Sequence, residues 1–252
     1  MRLTVIGSSG SFPGPNSAAS CYLVESFDPE PYRLVLDLGN GALGPLASCT
    51  DIYGIDAVAL THLHPDHCID LCAYYVARKY HPNGAQPQVP VFAPTGAADR
   101  MATAYGLPLK PGMREEFDFQ NWVGGEKIRL GPFLVTVAPM AHPVEAYAIR
   151  VEQNGRTLVY SGDTGPTTAL VDLARGADLL LTEASFLEGD DNPPDVHLTG
   201  REAAEHATLA GVRRLVLTHI PPWHDPLRVL ADARPAYDHP IELAKPGATY
   251  DI

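Results

Sequence analysis

The sequence predicts an α/β fold, one domain over residues 1–252, and three observations carry it. With 252 residues and 45% hydrophobic composition, the chain can bury a substantial core in one large domain more readily than in two small ones. Its first half is strand-rich, and its second half alternates strand-length apolar runs with stretches of helical period. Five runs, VALTH, VTVAPMAH, LVYSGD, LLLTE and LVLTH, each close on His, Asp or Glu. Those residues describe one rim of a sheet, and the carboxyl ends of strands are where α/β sheets bind ligands.

Taken in order, the predicted strands are RLTVIG (2–7), CYLVES (21–26), YRLVLDLG (32–39), DAVALTH (56–62), QVPVFAP (88–94), KIRL (127–130) and FLVTVAPMAH (133–142). AYAIRVEQ (146–153), RTLVYSGD (156–163), ADLLLTEAS (177–185) and RRLVLTHI (213–220) follow. Each is a short apolar run bounded by turn residues. Asn154-Gly155 between two such runs is a hairpin signal, because both residues tolerate positive φ. Helical periods place helices at 66–80, 96–105, 166–174, 199–210 and 226–233. VALTH and LVLTH resemble one another across the two halves, a faint internal repeat. The 22 glycines and 24 prolines are scattered between the runs and form no linker.

The densest chemistry lies in THLHPDHCIDL, residues 61–71, where His62, His64, Asp66 and His67 fall within six positions. Spacing by two and Pro65 exclude a helical i, i+4 face, so the cluster reads as a loop between the strand at 56–60 and the helix that follows. An imidazole-rich set with few carboxylates favours zinc, with manganese or iron(II) as alternatives. The four cysteines have neither zinc-ribbon nor CxxC spacing and read as buried small hydrophobes. Cys68 adjoins the cluster and could support it from behind. His81, His206 and His239 lack partners and read as a turn, a helix face and a loop.

Net charge of −12 and a pI near 5.2 disfavour extended nucleic acid, whose binding requires a basic surface. MRLTVIGSSG has no apolar core of signal-peptide length, and no run of about 18 apolar residues occurs. The expectation is a cytoplasmic protein without membrane contact.

HLHPDH resembles the HxHxDH motif of metallo-β-lactamase-fold hydrolases, and His142, Asp163 in SGDT and His219 in LTHI follow in that family's order. The resemblance spans nearly the whole chain. It is closer to the RNase Z-like branch: IGSSGSFPGPNSAAS (6–20) looks like its glycine-rich first loop, LTEASF like its glutamate motif and HLTG like its His-x-Thr/Ser motif. It implies an αββα sandwich of two mixed sheets flanked by helices. It also implies two divalent metal ions: His62, His64 and His142 on one, Asp66, His67 and His219 on the other, Asp163 bridging both.

Two zinc ions about 3.5–4 Å apart can lower the pKa of a shared water toward neutrality and clamp a phosphoryl oxygen. Phosphodiester cleavage then needs a proton for the departing alkoxide. The resemblance places Asp66, His197 and Glu183 among the catalytic groups, with His197 as general acid and Glu183 orienting it. The bland alternative makes His197 a cap for the helix near Thr199 and Glu183 a solvated strand end.

One departure bears on the substrate. RNase Z enzymes carry a long transfer-RNA-gripping arm between the equivalents of His142 and Asp163, whereas here that gap is about twenty residues filled by a hairpin. A small phosphodiester, above all a cyclic nucleotide, is therefore the expected substrate. Transfer-RNA 3′ processing, lactone or thioester hydrolysis, and a silent RNA-binding or scaffold module are the alternatives. Trp223 and His224 could line the pocket or simply pack. Ser8, Ser9, Ser11, Asn16 and Ser17 could contact substrate or merely form a turn. Exposed strand edges could serve a homodimer.

Overall fold

The computed structural model describes residues 1–28 and 30–252. Two mixed sheets lie face to face with helices outside. The first contains β1 (Arg2–Ser9), β2 (Ala18–Ala19), β3 (Cys21–Ser26), β4 (Tyr32–Leu36), β5 (Ala57–Ala59), β6 (Val89–Ala93) and β7 (Phe117–Asn121), with β15 (Thr249–Asp251) returning to pair with β1. The second contains β8 (Lys127–Leu130), β9 (Phe133–Pro139), β10 (Tyr147–Gln153), β11 (Arg156–Tyr160), β12 (Leu179–Glu183), β13 (Leu215–Thr218) and β14 (Ile241–Leu243). Helices α1 (Leu43–Cys49), α2 (Pro65–Cys68), α3 (Leu71–Lys79) and α4 (Ala97–Tyr105) cover the first sheet, and α5 (Thr168–Ala174), α6 (Gly200–Ala210) and α7 (Pro226–Ala233) the second.

Strand periodicity makes this layering. Leu34 and Leu36 point between the sheets, where they meet Ile149, Leu158 and Leu181, whereas Val35 points outward under the helices. Leu179 and Leu181 likewise face inward and Leu180 outward. Central strands buried on both faces read as continuous apolar runs, which is why they are legible in the sequence.

Each sheet runs through three antiparallel pairings and then three parallel ones. In order these are β15-β1-β3-β4 followed by β5-β6-β7, and β8-β9-β10-β11 followed by β12-β13-β14. This order matches β5 with β12 and β6 with β13. The likeness of VALTH, on β5, to LVLTH, on β13, is therefore not a structural repeat.

Other expectations need correction. The HLHPDH segment is not all loop: Pro65 opens the four-residue α2, with His64 as its N-cap, because proline at the first helical position loses no intrahelical bond. The helix expected over 66–80 breaks after α2. There Leu38 N–H donates to His67 O and Asp70 N–H to Leu38 O, so the backbone turns aside to join the loop after β4. Helix α1 is hidden in the sequence because Gly44 and Pro45 in its first turn look like loop residues. Strands β2, β7, β14 and β15 are hidden because they are short or half-exposed edge pieces with little apolar period. The Asn154-Gly155 hairpin forms as expected, both residues at positive φ between β10 and β11. Among the described residues no helix is long and apolar enough to cross a membrane.

Candidate metal centre

The parallel strands of both sheets end at one rim, and the candidate ligand residues sit there. His62 and His64 follow β5, Asp66 and His67 ride on α2, and His142 lies in the β9–β10 loop. Asp163 follows β11, Glu183 ends β12 and His219 follows β13. Two groups form around a common carboxylate: His62, His64, His142 and Asp163, and Asp66, His67, Asp163 and His219.

The hydrogen bonds behind these rings determine what their inner faces offer. His67 Nδ1 lies 2.7 Å from Asp37 Oδ2, and His142 Nδ1 lies 2.9 Å from Val196 O. Both partners only accept, so both rings donate outward. Ser185 Oγ donates to His219 O and therefore accepts from His219 Nδ1 at 2.8 Å. Thr61 Oγ1 donates to Asp37 and accepts from His62 Nδ1 at 3.1 Å. The inner nitrogens then carry lone pairs, the tautomer arrangement typical of ligated histidine.

Those lone pairs crowd together. His67 Nε2 and His219 Nε2 are 3.0 Å apart, and His64 Nδ1, whose tautomer no outer partner among the described residues fixes, lies 3.0 Å from His62 Nε2 and 3.3 Å from His142 Nε2. Asp66 Oδ2 is 3.1 Å from His219 Nε2. Asp163 Oδ1 stands 3.2 Å from His67 Nε2 and 3.5 Å from His219 Nε2, yet it is buried without a properly directed hydrogen bond. Convergent lone pairs around an orphaned buried oxygen repel one another unless a positive charge joins them. The cluster is compatible with divalent metal ions. Without a bound cation a proton would take its place on His67 Nε2: burial lowers the His67 pKa, but Asp163 and Asp37 outweigh it and raise the group well above its ordinary value. Burial and the neighbouring imidazoles hold His62 low instead.

Asp37 is the residue that sequence reasoning missed. Completely buried just after β4, it accepts from Thr61 N–H, Thr61 Oγ1, His67 and the Tyr160 hydroxyl. One carboxylate thus ties β4, β5, α2 and β11 together behind the centre. Its only sequence signal is an acid ending the run YRLVLD. Ser185 is equally silent. Asp37 and His219 both take left-handed backbone at φ 56, an uncommon geometry for residues other than glycine.

Glu183 is not solvated: it is fully buried, accepts from Thr164 N–H and Ser185 N–H, and binds His197 Nδ1 at 2.8 Å. Burial lowers the His197 pKa, but the Glu183 charge overrides this and brings it up to about 9. The helix cap is Thr199, in a capping box with Glu202, so His197 is free of that duty. Its ring stands between His142 and His219, with centroids at 5.6 and 5.7 Å.

Cys68 touches the His64 carbonyl, not its ring, and burial pushes its thiol up to about 12. His206 is buried on α6, accepting from Thr167 N–H. In the first loop, Ser17 Oγ accepts from Ser8 N–H and Ser9 Oγ donates to Phe12 O. Trp223 is 61% exposed, packs at a tilt against Phe12 with centroids 5.3 Å apart and donates to His224.

A family model described as the beta-lactamase superfamily domain matches residues 31–220. The chain belongs to that superfamily. Within it, the uncharacterized protein ML1173 of Mycobacterium leprae is 42% identical over 256 residues, covering all of this chain and 89% of its relative. The probable metallo-hydrolase YhfI of Bacillus subtilis is 30% identical over the full length of both chains. Its crystal structure, of a metallo-beta-lactamase fold protein, matches with a TM-score of 0.88 over 99% of each chain at 27% identity. A ribonuclease Z of Myxococcus xanthus is 27% identical, covering all of this chain and 98% of that one. That alignment extends over 307 positions against 252 residues here, so the relative carries segments that this superfamily member lacks. A metallo-hydrolase activity follows from the family.

Proposed function

We propose that the protein is a dinuclear metal-dependent phosphodiesterase acting on a small phosphodiester, most plainly a cyclic nucleotide. His62, His64 and His142 would hold one ion, Asp66, His67 and His219 the other, and Asp163 would bridge them; zinc suits the nitrogen-rich set, with manganese or iron(II) as alternatives. When bound, such a pair supplies a water acidic enough to attack at neutral pH and positive charge to neutralise phosphoryl oxygens.

The observation that carries the reading is the His197–Glu183 pair at 2.8 Å beside the cluster. Glu183 holds the imidazole through Nδ1, keeps it protonated and leaves Nε2–H to face a departing oxygen. An alkoxide, whose pKa is far above neutrality, needs that proton in order to leave. Hydrolysis of a thioester or an activated lactone makes no such demand. Asp66 would complete the second ion's set, its Oδ2 standing 3.1 Å from the lone-pair nitrogen His219 Nε2.

Size and charge favour a small substrate. The interval between His142 and Asp163 is spanned by the β10–β11 hairpin with no protruding arm, and the net charge is −12. A cyclic nucleotide presents one negative charge, whereas a precursor transfer RNA presents dozens that ordinarily demand many Lys or Arg contacts. The ribonuclease Z relative supports transfer-RNA processing as the second reading. Metal-replete protein assayed against 3′,5′- and 2′,3′-cyclic nucleotides, lactones, thioesters and precursor transfer RNA tests the choice. Efficient trailer cleavage with feeble cyclic nucleotide turnover would overturn it.

A further inference from the structure

The rim continues past His219. β13 and β14 are parallel neighbours in register Leu217↔Leu243, and Ala244 N–H donates to Leu217 O, so Ala244 and Lys245 leave the sheet beside the residues that lead into His219. A cavity of about 280 Å³ opens there, lined by Ser8, Asn16, Ser17, His224 and Lys245 over a floor of proline and aliphatic side chains. None of the metal-cluster residues lines it. It shares with the cluster the segments around Ser9 and Thr218–Ile220, which flank His219.

Two exposed aromatic rings stand on the loops that bound this cavity. Phe12, 43% exposed, comes from the first loop, and Trp223, 61% exposed, from the loop after β13. Both loops are anchored at the metal cluster: a Cβ on Gly10 would lie 2.2 Å from His219 O and 3.1 Å from His219 Nδ1, and Trp223 follows His219 by four positions. The rings pair at 5.3 Å with an interplanar angle of 36°, which leaves indole surface facing solvent. Neither ring lines the cavity itself, but Pro222 and His224 on either side of Trp223 do; exposed aromatic rings at the edge of a cavity with polar groups suit a heteroaromatic ring with hydrogen-bonding edges.

We infer that Trp223, with Phe12 and the adjoining cavity, forms the nucleobase subsite of the substrate, setting affinity for the base while the metal cluster and His197 act on the phosphodiester. The cavity is at the small end of ligand pockets, which run roughly 300–1,000 Å³, and so takes one base and not a stretch of polynucleotide. This inference rests on the proposed phosphodiesterase reading, but its test is separable from it.

Trp122 is 4% exposed and its indole donates to Leu60 O, so Trp223 is the solvent-facing one of the two tryptophans. Titrating the metal-loaded protein with adenosine, which has no phosphate to hydrolyse, should quench that emission saturably, and Trp223→Phe should lose the signal. On 3′,5′-cyclic AMP, Trp223→Ala should raise KM by about tenfold more than on methyl p-nitrophenyl phosphate, which lacks a base. Trp223→Tyr should recover most of that difference. Absence of adenosine quenching overturns the subsite whatever the activity proves to be, as does an equal KM change on the two diesters. A protein that binds adenosine yet hydrolyses neither diester retains the subsite and loses the phosphodiesterase reading.

Discussion

His197 and Asp37 show how much a single buried carboxylate can decide. Because Glu183 raises His197 to about 9, the acid form persists through neutral pH and is lost as pH rises through that value. Bound cations would lower it, so the alkaline limb for an alkoxide leaving group should fall at or below about pH 9. His197→Ala should lose roughly 10²–10⁴-fold on such a substrate, lose far less on a nitrophenyl ester, and abolish that limb in pH–rate measurements. Equal losses on both leaving groups would reduce His197 to a binding or packing role. Asp37 holds His67 through its outer nitrogen, and outer partners of metal-bound histidines are typically worth about 10–100-fold in affinity. Asp37→Asn should therefore weaken metal binding by about that factor in chelator competition, with secondary structure retained by circular dichroism.

At the level of elements, the site depends on loops packed so closely that some positions accept no side chain. The turn after β4 presses against α2, where a Cβ on Gly39 would sit 1.9 Å from Asp66 O. Gly39→Ala should thus displace α2, which carries Asp66 and His67, and cut metal content measured by elemental analysis while the sheets stay folded. Full metal content in the Gly39→Ala variant would show that α2 yields without cost. The break between α2 and α3 belongs to the same junction, since Leu38 bonds across it in both directions. Helical period alone predicts one helix there; tertiary hydrogen bonding makes two.

The whole molecule brings candidate ligands from both sheets around one buried carboxylate, Asp163. Under the dinuclear assignment, purified protein in zinc-containing buffer should carry close to two ions per chain, and Asp163→Ala should weaken both sites. Anything that binds only the folded state stabilises it, and the cation also relieves a buried cluster of lone pairs. Chelation should therefore lower the melting temperature, and zinc should restore it. A chain that stays metal-free under these conditions would exclude the assignment.

Much of this is written locally in the sequence. Strands buried on both faces announce themselves as apolar runs, and HLHPDH with His142, Asp163 and His219 stands out because histidines and acids closing such runs have few other uses. Edge strands β7, β14 and β15 and helix α1 are illegible, since short or half-exposed elements carry little periodicity. Asp37 and Ser185 are illegible for another reason: nothing in YRLVLDLG or EASF says that these side chains will reach a histidine brought up from a different strand. The tautomers of the rings, the burial of Glu183 and the left-handed turn at His219 likewise arise only when two sheets close on one another. Residue type decided which groups could bind a cation, and the packing of the sandwich decided which of their nitrogens and oxygens face inward.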